Sequence, residues 1–373
     1  MEHTRALVAL TMFLLSYATD SAGDFTAVSK LRRNSQVTGG LCAHLIEPAG
    51  FPCTEHSTET KDGYLLGLQR VSSRSTIVRG EMGPPVLLIH GLFMAGDAWF
   101  MNSASESLGF ILAEQGFDVW VGNVRGTRWS HGHVSLSVKN KEFWDWSWEE
   151  LALYDLAEMI RYVNSITKAK ILVVGHSQGT IMSLAAFTKP DIVEMVKAAA
   201  LLCPISYLDH ITTNFVLRLV KMRLDEIILG LGIHELNFKS NMGTQIMDMM
   251  CEGHIHCDIW LSAITVIRKG NFAMYDYGMW KNLMHYKQPE PPEFDISQIP
   301  TSLPLWMGYG GNDALADVID VQHTLKQLKR KPDLLYIEEY GHIDFLLSIR
   351  AKEDVYDDMI MFFNSVQKIS SFK

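Results

Sequence analysis

Six apolar runs that each stop at loop residues constrain this chain more than any other feature. They are PPVLLIHG (84–91), FDVWVGNVRG (117–126), ILVVGHSQG (171–179), AAALLCPIS (198–206), LPLWMGYGGND (303–313) and LLYIEEYGH (334–342). Each is shorter than an ordinary helix, and its apolar stretch is unbroken, as in a strand buried on both faces. Helical spacing fills most of the gaps, as in ELALYDLAEMIRYV (150–163) and DVIDVQHTLKQL (317–328). Strands alternating with helices predict an α/β fold, a mostly parallel sheet covered by helices.

The segment 207–290 interrupts that alternation. Leu217, Val220, Leu224, Ile227, Ile228 and Leu231 repeat at helical spacing, and Met242, Met247, Met249 and Met250 crowd nearby. The segment reads as a helical cap inserted into the sheet domain; a helical layer that only completes the core is the alternative. The proline-rich stretch QPEPPEFDISQIPTSLP (288–304) leads back to the sheet. At the other end, Arg5 precedes an apolar run over 6–18, too short for the roughly 20 residues that cross a bilayer. The expected organisation is a secretory signal over 1–22, the first part of the core over 23–206, the cap over 207–290 and the second part of the core over 291–373. The mature chain then belongs in the secretory route, either secreted or in a vacuolar or lysosomal lumen.

Five cysteines in an oxidising compartment suggest one or two bridges and an odd thiol. Cys42 with Cys53, and Cys251 with Cys257, each suit a short loop. Cys203, in AAALLCPI, reads as an inert thiol in a core strand. CEGHIHC (251–257) also offers Cys251, His254, His256 and Cys257 to zinc, but none of the usual spacings is present and a disulfide is favoured. A net charge of −9 and a pI near 5.9 suit neither nucleic acid nor an anionic membrane, so a neutral substrate fits better.

The chemistry is concentrated at the ends of the runs. In KILVVGHSQGTIMSL (170–184) a serine stands between two glycines, after a strand pattern over 171–174 and before a helical pattern that opens over 180–187. Gly-x-Ser-x-Gly alone is loose, and context raises it to a nucleophile on a strand–turn–helix elbow, Ser177. A serine hydroxyl needs a base, and the base needs a group that fixes its tautomer. In a parallel sheet these stand at carboxyl ends of strands. Asp313 follows LPLWMGYGG and His342 follows LLYIEEYG, and the order Ser177, Asp313, His342 is that of an α/β-hydrolase triad. Asp317 and Asp320 suit helix-capping or solvated roles, Asp344 lies too close to His342 to orient it, and His90 and His176 read as loop-shaping residues. Backbone N–H groups of Gln178, after the nucleophile, and of Leu92, in HGLFMAG (90–96), suit an oxyanion site.

Several longer motifs stand in one order: LCAHLIEPAGFPCTEHSTETKDGYLL, HGLFMAGDAWF, FDVWVGNVRGTRWSHGH, FWDWSWEELALYDL, VGHSQGT, YGGNDALADVIDV and YGHIDF. By these the chain resembles the acid lipase family of α/β-hydrolases, the gastric, lysosomal and plant triacylglycerol lipases, with the plant branch nearest. The resemblance covers nearly all of the mature chain. It implies a serine lipase or esterase acting on neutral lipid or other acyl esters, with no cofactor, no metal, no nucleic-acid partner and transient contact with a lipid surface through the cap. Ser177, Asp313 and His342 match the family's triad, and Leu92 and Gln178 its oxyanion positions. In one respect the chain departs from the family. CEGHIHCDIWLSAITV (251–266) runs straight into IRKGNFAMYDYG (267–278), where the family carries a further helical stretch, so part of the cap is expected to be missing. A lipid-binding member that has lost turnover is therefore the alternative, and a thioesterase or peptidase on the same fold a lesser one.

Overall fold

Each of the six runs forms a strand in the computed structural model, which describes residues 39–210 and 272–371 apart from 74, 76–79, 81 and 93. The segment read as a signal, most of the segment read as a cap and both readings of CEGHIHC lie outside the described residues. The sheet and its helices belong to one compact unit, Gly40–Lys373.

The strands are β1 (Cys53–Glu59), β2 (Tyr64–Val71), β3 (Pro85–Ile89), β4 (Asp118–Gly122), β5 (Gly132–His133), β6 (Ile171–His176), β7 (Val196–Leu202), β8 (Leu305–Gly310) and β9 (Asp333–Ile337). They form one sheet in the order β1-β2-β4-β3-β6-β7-β8-β9, with β5 paired to β2. From β4 to β9 every pairing is parallel, whereas β1, β2 and β5 add an antiparallel margin. Every residue of β3, β4, β6 and β8 is buried, so these strands carry no polar alternation. A fully buried Leu, Ile or Val contributes about 1.5–3 kcal/mol relative to exposure, and ILVV at the start of β6 is wholly buried. The edge strand β9 is mostly open on its outer side.

The helices that concern the site are α1 (Leu108–Glu114), α2 (Ala157–Thr167), α3 (Gln178–Ala186), α4 (Met279–Tyr286), α5 (Val318–Gln327) and α6 (Asp357–Ser371). The expected helix over 150–163 is longer: it enters at Trp148, passes a π-helical stretch Leu151–Leu156 and continues as α2. Glu150 fixes the entry by accepting the N–H of Ser147 at 2.7 Å and its hydroxyl at 2.8 Å. The helix after the elbow begins at Gln178, earlier than the 180–187 pattern indicated, because Ser177 itself stands at its N-cap. Cys42 and Cys53 are bridged, which ties the segment ahead of the sheet to the start of β1.

The strand order reverses between β3 and β6: the chain leaves β3 for β4 on one side, and from β6 proceeds outward to β7, β8 and β9 on the other. The carboxyl ends of β3 and β6 thus form a topological switch point, the usual ligand site of an open α/β sheet.

Candidate active site

Ser177 stands at this switch point, directly after β6, with φ 53° and ψ −114°, a conformation rare for a residue with a side chain. Such strain at the end of a buried strand points to function. Its surroundings leave the chain little choice. A Cβ on Gly179 would lie 2.4 Å from the carbonyl oxygen of Ile89, so only glycine lets α3 start this close to β3. The backbone of the elbow is tied as well: Ser177 N–H donates to Leu202 O at 3.0 Å, and the Thr180 hydroxyl donates to Ser177 O at 2.6 Å.

The structure brings the three residues singled out in the sequence together. His342 Nε2 lies 2.8 Å from Ser177 Oγ, and its Nδ1 lies 2.8 Å from Asp313 Oδ2 and 3.1 Å from Oδ1. All three are buried. Asp313 follows β8 and His342 follows β9 by a short loop, so these groups come from the ends of separate strands. Asp313 Oδ1 also accepts the N–H groups of Leu315 at 2.9 Å and Ala316 at 2.8 Å. Burial pushes the Asp313 carboxyl up, but the His342 imidazole, its hydrogen bond and those two N–H groups outweigh burial and hold it below the usual carboxylate range.

The loop after β3 is pressed against the elbow. A Cβ on Gly91, the residue before Leu92, would lie 3.2 Å from Ser177 Cβ, so the glycine allows this close approach. His90 donates Nδ1–H to Gly91 O at 2.7 Å while its Nε2 accepts Val124 N–H at 3.3 Å, and Gly96 N–H donates to Asn123 Oδ1 at 2.8 Å. His90 thus shapes the loop, and does so by joining it to the loop after β4. Gln178 is the first residue of α3, where N–H groups precede the intrahelical ladder.

The other carboxylates do other work. Asp317 caps α5, its side chain accepting Ile319 N–H at 2.8 Å. Asp320 is neither solvated nor a cap: it is 3% exposed and binds His210 through the backbone N–H at 2.9 Å and Nδ1 at 2.7 Å. Asp344 accepts Gly341 N–H at 2.7 Å. Cys203 is a buried free thiol, as expected, but it lies just past β7 at φ 52° and not within the strand. Donor atoms of Cys203, Asp313 and His342 fall within 4.8 Å of one another. Burial pushes the Cys203 thiol well up, away from the thiolate a metal requires, and His342 Nδ1 already faces Asp313. Glu149, for which the sequence offered no signal, is buried and accepts Tyr275 N–H at 2.7 Å and the Tyr286 hydroxyl at 2.8 Å.

Comparison with known proteins agrees with this architecture. Residues 84–348 match the family model described as alpha/beta hydrolase fold, and residues 42–103 match a partial alpha/beta-hydrolase lipase region. Triacylglycerol lipase 1 of Arabidopsis thaliana is 58% identical over 364 aligned positions that take in 89% of this chain and 92% of that protein. Since 89% of a 373-residue chain is fewer than 364 residues, that lipase carries residues with no counterpart here. Gastric triacylglycerol lipase of Rattus norvegicus is 31% identical, with 83% of this chain and 88% of that protein covered. Among solved structures, the alpha/beta hydrolase GrgF from Penicillium sp. sh18 has the same fold at a TM-score of 0.52 and 15% identity, covering 85% of this chain and 98% of its own. The chain belongs to the α/β-hydrolase family, within its lipase group of carboxylic ester hydrolases.

Proposed function

We propose that the protein is a serine lipase or esterase that hydrolyses acyl esters of neutral lipids, triacylglycerol-type substrates included, through an acyl-enzyme on Ser177. One observation carries the proposal: a single imidazole, His342, spans Ser177 Oγ and the Asp313 carboxylate at 2.8 Å on each side. Ser177 Oγ attacks the ester carbonyl as His342 Nε2 takes its proton, and Asp313 holds the proton on Nδ1 and offsets the charge of the imidazolium. The N–H groups of Leu92 and Gln178 receive the developing oxyanion; losing one such donor costs about 3–4 kcal/mol in acyl transfer. His342 then protonates the departing alcohol. Water, deprotonated by the same imidazole, attacks the acyl-enzyme and returns the serine. No step calls on a cofactor.

The substrate assignment is supported by the relatives, two triacylglycerol lipases by name, and by a negatively charged chain that suits neutral esters. Residues 207–290 form the cap in this proposal. Residues of the Arabidopsis lipase that have no counterpart here are what a shortened cap would produce. The Cys42–Cys53 bridge supports a secretory route, because such bonds persist in oxidising compartments.

The test is covalent. A fluorophosphonate should label Ser177, mapped by mass spectrometry, and Ser177→Ala should abolish hydrolysis while melting like the wild type. An adduct elsewhere, or a variant that keeps a tenth of the rate by the order-of-magnitude scale of triad knockouts, refutes it. A panel of glyceride, acyl-CoA and peptide substrates separates a lipase from a thioesterase or peptidase; lipid retention with no turnover of any ester identifies the non-catalytic alternative.

A further inference from the structure

His342 must reach across the sheet to do its work. It leaves the end of β9 and meets Ser177 at the end of β6, past the ends of β8 and β7. Its side chain is held at both nitrogens, but those contacts fix the ring only if the backbone that carries it is fixed too. Two buried side chains converge on the main-chain carbonyl oxygen of His342: His176 Nε2 at 3.0 Å and Cys203 Sγ at 3.3 Å. The first belongs to the residue directly before the nucleophile, and the second stands at the end of β7.

We propose that His176 is a positioning residue for the general base: it donates Nε2–H to the carbonyl oxygen of His342 and so holds the imidazole in line with Ser177 Oγ, with the Cys203 thiol as a second, weaker donor. This rests on the reading of Ser177, Asp313 and His342 as a triad. Nucleophile and base then share one rigid strap, since His176 and Ser177 are consecutive, and any drift of the loop after β9 must break it.

The chemistry of the ring agrees with this role. A carbonyl oxygen can only accept, so the proton of the neutral ring sits on Nε2. Nδ1 is buried and has no protein partner among the described residues, a cost that an apolar residue of the same size would avoid. His176 is wholly buried, its ring centroid 5.0 Å from that of His342. Burial first, and then the charge of His342, push its pKa down to about 3. When His342 takes a proton during turnover, its neighbour adds no second positive charge.

His176→Leu keeps the volume and loses the donor, whereas His176→Gln places an amide N–H about as far from the backbone as Nε2. On a soluble ester, His176→Leu should lower kcat on the order of 10²-fold, as a misplacement of about 1 Å does, with little change in KM. Fluorophosphonate labelling of Ser177 should slow in parallel, and His176→Gln should recover most of both rates. Ser177→Ala, run alongside, separates the two levels of the proposal. If Ser177→Ala stays active, the triad reading falls; if it is dead while folded His176→Leu turns over at the wild-type rate, the triad stands and the strap is overturned. Equal losses in the Leu and Gln variants also overturn it, since the donor would then be irrelevant. Should His176→Leu not fold, nitrogen-15 NMR of histidine-labelled wild type decides: a neutral ring protonated on Nε2 supports the strap, and protonation on Nδ1 overturns it.

Discussion

Replacing Asp313 by asparagine probes the proposed triad without removing any atom of the skeleton. Asp313 serves two sets of partners: Oδ1 accepts N–H groups of Leu315 and Ala316, and Oδ2 faces His342 Nδ1 at 2.8 Å. Asparagine has a single oxygen. Left on the two backbone donors, it turns its NH2 toward His342 Nδ1, which must then accept, and the imidazole proton moves to Nε2, facing Ser177 Oγ. In that tautomer the ring cannot take the serine proton. The opposite amide orientation restores the productive tautomer but strands two buried N–H groups, at about 1–3 kcal/mol each. The unproductive state is therefore favoured by about 2–6 kcal/mol, a range that contains the roughly 10⁴-fold loss found when a triad aspartate becomes asparagine. Because the backbone bonds persist, the melting temperature should change little. Steady-state kcat on a soluble ester, with melting followed by circular dichroism, measures both. A kcat within about tenfold of wild type refutes the tautomer reasoning, and Asp317→Asn proving the more damaging substitution assigns the acid elsewhere.

Glu149→Gln tests a buried carboxyl outside the triad. Burial pushes Glu149 up to about 7 in the folded chain, above its unfolded value of about 4.3, so its contribution to stability is full at low pH and declines as pH rises through 7. The variant lacks that decline, and its melting temperature should gain on wild type between pH 5 and pH 8; an unchanged difference refutes the assignment. Cys42→Ser opens a loop of sequence separation 11 and should cost about 3 kcal/mol by chain entropy, read from denaturant midpoints; a cost under about 1 kcal/mol means the bridge barely constrains the unfolded chain. On the reading of 207–290 as a shortened cap, the site should stay open to water, and hydrolysis of short soluble esters should exceed that of long-chain triacylglycerols, with little increase in rate at an oil–water interface. Inserting the missing segment from a full-length relative should restore long-chain activity, and triolein hydrolysis by the unmodified chain at the rate of that chimera refutes the expectation.

What the sequence made legible is what lies at strand ends. The six apolar runs became β3, β4, β6, β7, β8 and β9; for the inner strands the reason is that a strand buried on both faces has to be apolar throughout and so announces itself, whereas the edge strand β9 has no buried residue despite its apolar run. The turns at their carboxyl ends carry Ser177, Asp313 and His342, and chain order alone aligned them with a hydrolase triad. The margin was not legible in the same way. β1 reads CTEHSTE, without an apolar run, since it is half open to solvent and pairs antiparallel with β2. The turn between them contains Asp62–Gly63, with Gly63 at φ 92°, and Asp-Gly is a turn signal whose weight falls where the flanking strand lacks alternating apolar residues.

Contacts between distant side chains escape local pattern altogether. Glu149 meets Tyr286 across 137 positions, and His176 meets the carbonyl of His342 across 166. Nothing in FWDWSWEEL or VGHSQGT sets one glutamate or one histidine apart, because propensity and periodicity report on neighbours within a few residues. The parallel sheet supplies the long-range information. It fixes which strand ends are adjacent, and β6, β7 and β8 in sequence put His176, the last residue of β6, Cys203, just past β7, and Asp313, just past β8, at successive strand ends that the turn after β9 must cross. Given that order, the residue before Ser177 and the residue after β7 both reach the backbone of His342, the proposed base. A polar donor at either is therefore a feature to look for in any sequence with this strand order, before its structure is known.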